Sequence, residues 1–104
     1  MATTPEGKVK DKIKRFLKLY KIDYWMPVPS AMGNTTGMSD FIAILRNGKF
    51  LAIEAKSPDK RNNVSANQQR FLDAVNVNNG HGIVVANDDD LIALEVWLKH
   101  YELG

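Results

Sequence analysis

The sequence predicts an α/β fold, a central mixed β-sheet flanked by helices in the order α-β-β-β-α-β-α. Three observations carry this prediction. Residues 41–45, 50–53 and 83–86 are apolar at nearly every position, as strands buried on both faces are. Three other stretches repeat their apolar residues with the helical period. A tight turn joins the first two apolar runs, whereas a whole helix separates the second from the third. That layout is a hairpin followed by a candidate right-handed crossover.

Each element has its own justification. Thr4 offers an N-cap, Pro5 suits the first helical turn, and Glu6 stands at the positive end of the helix dipole. Val9, Ile13, Phe16, Leu17 and Tyr20 follow at helical spacing, so a helix is expected over residues 5–22. Glu6 falls on its apolar side, where the plain reading is a capping acid. Residues 24–28 make a short strand that Pro27 confines to an edge or an end. Residues 29–38 are a Gly- and Pro-punctuated flexible loop. Residues 57–63 form a polar, partly basic loop. Ser65 starts a second helix that runs to about residue 79, with Phe71, Leu72 and Val75 on one face; Gly80-His81-Gly82 stops it. Asn87 caps a third helix whose first turn, Asp88-Asp89-Asp90, again suits the dipole. Leu91, Leu94, Leu98 and Tyr101 form its apolar stripe. His81 and His100 read as turn and helix surface residues. Trp25, Trp97 and Tyr101 read as core packing, with a second use as interface anchors.

No repeat, linker or low-complexity tract divides the 104 residues, so one domain spans 1–104. A hydrophobic content of 44% excludes wholesale disorder. The absence of cysteine excludes disulfide scaffolds, zinc knuckles and thiol catalysis. There is no apolar run of membrane-spanning length and no secretory signal, so the expectation is a soluble, intracellular protein with no membrane partner. No phosphate-cradling glycine loop precedes a Lys-Ser/Thr pair, so no nucleotide cofactor is expected. The net charge of +2 conceals a polarity. Residues 1–21 carry seven cations against Glu6 and Asp11, while residues 88–104 carry five acids against Lys99. The basic helix reads as a solvated flank or as a nucleic-acid face.

The hairpin carries charges where a buried strand should have none. Asp40 opens one strand, and Glu54 and Lys56, two apart, share a face at the end of its partner. Buried charges must pair or bind metal. Two carboxylates beside an ammonium suit a hard divalent cation that keeps some waters and takes further oxygens from a phosphate. Hairpin parity decides whether the carboxylates meet. A two-residue Asn47-Gly48 turn turns Asp40 away from Glu54, whereas a three-residue Arg46-Asn47-Gly48 loop with a left-handed Gly48 sets them opposite each other. The sequence allows both turns. Gln68 points inward from the second helix, yet Ser65-x-x-Gln68 also matches a capping box, and spacing alone favours the cap.

The segments Thr4-Pro5-Glu6-Gly7-x-Val9, Gly37-Met38-Ser39-Asp40-Phe41-Ile42, Phe50-Leu51-Ala52-Ile53-Glu54-Ala55-Lys56 and Ser65-x-x-Gln68-x-x-Phe71-Leu72, followed by Gly82-Ile83-Val84-Val85, resemble the virus-type replication-repair nuclease (VRR-NUC) domain. That family belongs to the PD-(D/E)xK nucleases and is similar to Holliday junction resolvases. The resemblance covers about residues 3–95. It implies a restriction-endonuclease-like core and a Mg²⁺- or Mn²⁺-dependent deoxyribonuclease. Asp40 and Glu54 would be metal ligands, helped by the Ala55 carbonyl. Lys56 would orient or activate the attacking water, Gln68 would lie beside the active site, and Glu6 would reach the metal region. Ser39 departs from the proline usual before the aspartate. The resemblance further implies a DNA substrate of branched or four-way-junction type, a homodimer, and a viral role in replication, recombination or repair, in the host cytoplasm. Lys8, Lys12, Arg15, Lys60 and Arg61 are the expected phosphate contacts. The rival expectations are a catalytically silent nucleic-acid-binding module and an interaction subunit of a replication complex.

Overall fold

The computed structural model describes residues 4–28 and 37–103. Most of the expected loop over residues 29–38 therefore lies outside the described residues. The element order is α1 (Pro5–Leu19), β1 (Asp23–Trp25), β2 (Phe41–Ile44), β3 (Phe50–Ala55), α2 (Ala66–Val77), β4 (His81–Val85) and α3 (Asp88–Leu103), with a short 3₁₀ turn at Pro58–Lys60 before α2. The predicted α/β class and order are what the chain adopts.

The sheet runs β1-β2-β3-β4. β1 to β3 form an antiparallel meander, and β4 lies parallel to β3 after the α2 crossover. Odd positions of β3 face one layer and even positions the other. Leu51, Ile53 and Ala55 join Phe41, Ala43, Leu45 and Val85 beneath Val9, Ile13 and Leu17 of α1 and Leu94 and Leu98 of α3. On the opposite face Ala52 packs with Leu72 and Val75 of α2, flanked by Phe50, Phe71 and Val84. Cover there is incomplete. The single helix α2 spans β3 and β4, so Ile44 of β2 stays 52% exposed and Trp25 of β1 53% exposed. β3 is buried on both faces as expected, whereas the same expectation for β2, and that of Trp25 in the core, are corrected: one helix is too narrow to roof four strands.

Two helices end earlier than their apolar periodicity suggests. α1 stops at Leu19 because Lys21 takes a left-handed backbone (φ 55°) and the Ile22 N–H closes back on the Leu17 carbonyl at 2.9 Å. This is a Schellman closure with Ile22 as its apolar follower. α2 repeats the device with Asn79 (φ 68°) and a 2.8 Å bond from the Gly80 N–H to the Val75 carbonyl. His81 and Gly82, expected in the stop signal, instead open β4. Gly82 is there for room, since a Cβ at that position would stand 3.0 Å from the Leu72 carbonyl oxygen. Among the described residues, no helix is long and apolar enough to cross a membrane.

Candidate active site

The hairpin adopts the three-residue loop. Leu45 and Lys49 close it through bonds of 2.9 and 2.8 Å (Leu45 N–H to Lys49 carbonyl, Gly48 N–H to Leu45 carbonyl), and Gly48 is left-handed at φ 79°. The resulting register pairs Phe41 with Ile53 and Ile42 with Ala52, which sets Asp40 across from Glu54. A glycine in a left-handed conformation thus decides which face the aspartate serves. Gly37 places the approach to Asp40. It has φ 92° and lies so close to α2 that a Cβ would be 2.7 Å from the Asn67 Cβ.

Each charged group at this end of the sheet has a defined partner. The Asp40 carboxylate accepts the Ala55 backbone N–H at Oδ2 (2.8 Å), while Oδ1 lies 3.7 Å from Lys10 Nζ. Glu54 is 3% exposed. Its Oε2 accepts from Gln68 Nε2 at 2.9 Å and sits 3.7 Å from Lys56 Nζ. Its Oε1 is buried with no hydrogen-bond partner. Burial, and then the adjacent Asp40 charge, push the Glu54 carboxyl up to about 7; Lys56 opposes this, while a carboxyl–carboxylate hydrogen bond with Asp40, open to the protonated form, and the Glu6 charge add smaller upward pushes.

Gln68 meets both of its expected uses. Its N–H donates to Ser65 Oγ at 3.1 Å, and its side-chain Oε1 accepts the Ser65 N–H at 3.0 Å, a complete capping box. The same Oε1 accepts from Lys56 Nζ at 3.1 Å, while Nε2 holds Glu54. The two readings were never exclusive, because an amide has separate ends. Glu6 is on the correct side of α1 but pairs with Lys10 at 3.3 Å. Lys10 was missed as a member of this group; its position four residues after Glu6 on one helix face was the available signal. Ser39 is buried and its hydroxyl has no partner, a cost that a proline in its place would not carry.

The donor set is chemically suited to a hard divalent ion. It offers two carboxylates at adjacent ends of one hairpin, one carrying an orphaned buried oxygen that an ion would satisfy. Among the described residues no group of three or more His, Asp or Glu side chains converges on one point. An ion here would therefore rest on Asp40 and Glu54, completed by backbone, solvent or substrate oxygens. The structure shows the Ala55 N–H committed to Asp40.

The five cations expected at a nucleic-acid face divide. Lys12 donates to Asp88 at 2.8 Å, and Arg61 grips Asp90 with Nε and Nη2 at 2.8 to 3.2 Å. Both are thus occupied by the acidic first turn of α3, because α1 and the 57–63 loop fold against that helix. Lys8, Arg15 and Lys60 are exposed. Lys8 and Lys12 also rim a cleft of about 290 Å³ floored by Pro5, Val9, Pro58 and Leu91. His81 is not a turn surface residue. It stacks on Trp97 at 4.0 Å, Trp97 stacks on Tyr101 at 5.2 Å, and burial followed by the Lys49 charge lowers the imidazole pKa.

A model of the VRR-NUC domain family matches residues 6–87, a span that includes Glu6, Asp40, Glu54, Ala55, Lys56 and Gln68. No curated protein and no solved structure matches the chain.

Proposed function

The chain belongs to the VRR-NUC domain family and is a nuclease-type domain, and on that premise we propose that it hydrolyses DNA phosphodiester bonds with Mg²⁺ or Mn²⁺ held by Asp40 and Glu54. The observation that supports this most directly is the Glu54 carboxylate. It is buried beside a second acid, with one oxygen lacking any partner and an ammonium 3.7 Å from the other. A buried carboxylate oxygen without a donor costs free energy, and a bound cation would relieve that cost.

When bound, the divalent ion supplies charge stabilisation at the phosphate and acidifies a water. The chain's own residues do the rest. The Ala55 N–H fixes the Asp40 rotamer. Gln68 holds Glu54 and Lys56 at one spacing through its two amide ends. In this reading Lys56 orients the attacking water and offsets charge growing on the scissile phosphate, while the Ala55 carbonyl completes the ligand set and Glu6 acts through its pair with Lys10 and its charge near Glu54. Lys8, Arg15 and Lys60 supply phosphate contacts, with Lys12 and Arg61 contributing only when α3 releases them. Branched or four-way-junction DNA and a homodimer belong to the same proposal, as does a role in viral replication or repair.

The test is a cleavage panel of four-way junction, flap, duplex and single-stranded DNA with Mg²⁺, Mn²⁺ or EDTA. Wild type should cut only with metal. Asp40→Ala should lose roughly a hundredfold or more while still binding DNA. Retained cleavage in Asp40→Ala overturns the site. A folded wild type that binds DNA but never cuts makes the domain a binding module.

A further inference from the structure

We propose that Lys10 is the resident cation of this site: its ammonium neutralises Asp40 in the metal-free protein, and a divalent ion must move it aside to bind. This rests on the metal-binding reading above and extends it to a residue outside the Asp40, Glu54, Lys56 and Gln68 set.

The partners of each carboxylate oxygen lead there. Asp40 Oδ2 is committed to the Ala55 N–H, so Oδ1 is the oxygen left for a cation, and Lys10 Nζ stands 3.7 Å from it. Lys56 serves the other acid, and Gln68 anchors it there. Lys10 comes from α1, so the two ammonium groups reach the acidic pair from different elements. Among the described residues Lys10 has no such amide anchor. Besides Asp40, its other ion-pair partner there is Glu6, 3.3 Å away and one helical turn back, with a side chain 44% exposed. A lysine is suited to this task, being a single point charge on a flexible stem with no planar fork to lock it in place. Glu6 then has a function short of ligating metal: it receives the displaced ammonium and keeps it at the rim.

A monovalent ammonium at Asp40 leaves Glu54 Oε1 without a partner, as observed. A divalent ion can serve both carboxylates. Exchange of Lys10 for that ion is therefore favourable overall, yet it proceeds against repulsion between two cations a few ångströms apart. The metal affinity of the intact protein is accordingly set below what its carboxylates alone would give.

The experiment is Mn²⁺ binding to the full chain by calorimetry and by the loss of the free-Mn²⁺ electron paramagnetic resonance signal, at low ionic strength and without DNA. Lys10→Met removes the charge and keeps a helix-compatible stem. It should bind Mn²⁺ on the order of tenfold more tightly, and at least about threefold, with the gain shrinking as salt screens the site. Lys10→Arg keeps the charge and should stay within about twofold of wild type. A merely structural role would weaken Mn²⁺ binding in Lys10→Met. Unchanged or weaker binding in Lys10→Met, or equal tightening in Lys10→Arg, overturns the inference while leaving the nuclease reading intact. A wild type that binds no Mn²⁺, or binds it equally after Asp40→Ala, brings down both.

Discussion

Glu54 is the residue on which fold stability and chemistry meet. Its carboxyl titrates near 7 in the folded protein against 4.5 in a free chain. The folded state therefore holds a proton that the unfolded state has already released between those values, and stability falls as pH rises across that window. The penalty is complete above about 7 and absent below about 4.5, and amounts to roughly 3 kcal/mol. Denaturant melts in EDTA should show wild type losing that much relative to Glu54→Gln between pH 4.5 and 7.5. Saturating Mn²⁺ should abolish the difference slope. Parallel pH profiles for the two proteins in EDTA would show that the carboxylate is not strained. Glu54→Gln should also lose cleavage. The acid pair itself was legible in the sequence, because charges in an apolar hairpin demand an explanation. Lys10 was legible only as an i,i+4 partner of Glu6, and its place beside Asp40 shows only once the hairpin is set next to α1.

At the level of elements, α2 begins with a device that serves two ends. Ser65→Ala removes the hydroxyl cap and should cost about 1 kcal/mol of stability with cleavage retained in the folded fraction, since Gln68 Nε2 keeps its hold on Glu54. Gln68→Ala should cost a similar amount and also reduce cleavage by roughly tenfold or more, as both Glu54 and Lys56 lose a fixed partner. Melts and rates measured on the same preparations separate the two effects; equal loss of activity in both variants would show that the cap alone matters. The hairpin register was half legible. Gly48 permitted two loops, and of these the chain adopts the one that sets Asp40 and Glu54 on a shared face. The ends of α1 and α2 were not legible, because Lys21 and Asn79 fill left-handed positions where glycine would have announced the stop.

Across the whole molecule, the charge polarity of the sequence folds back on itself. The basic α1 and the acidic first turn of α3 lie side by side, so Lys12 meets Asp88 and Arg61 meets Asp90. Burial works against the Asp90 charge, but the Arg61 guanidinium and the backbone bonds at Ala86 and Asn87 outweigh it and hold that carboxyl below its usual range. If Lys12 and Arg61 contact DNA as proposed, the acidic helix competes with it for the same cations. Asp88→Asn, at an exposed position, should cost little stability. It should raise DNA affinity about two- to threefold and steepen the salt dependence by up to about one counterion. Fluorescence anisotropy across a salt series reads both, and unchanged affinity would show that Lys12 takes no part in binding. Nothing in a linear charge count reveals this, since the two runs lie more than 60 residues apart and meet only because two helices share one face of the sheet.

The glutamine at the start of α2 has a consequence in time as well as in space. Helix ends open and reclose on the sub-microsecond scale, and the first turn of α2 cannot open without releasing the amide that spaces Glu54 from Lys56. Any fraying of that turn would therefore release the spacing of Glu54 and Lys56, and a ligand that holds either charged group would keep the turn wound in return.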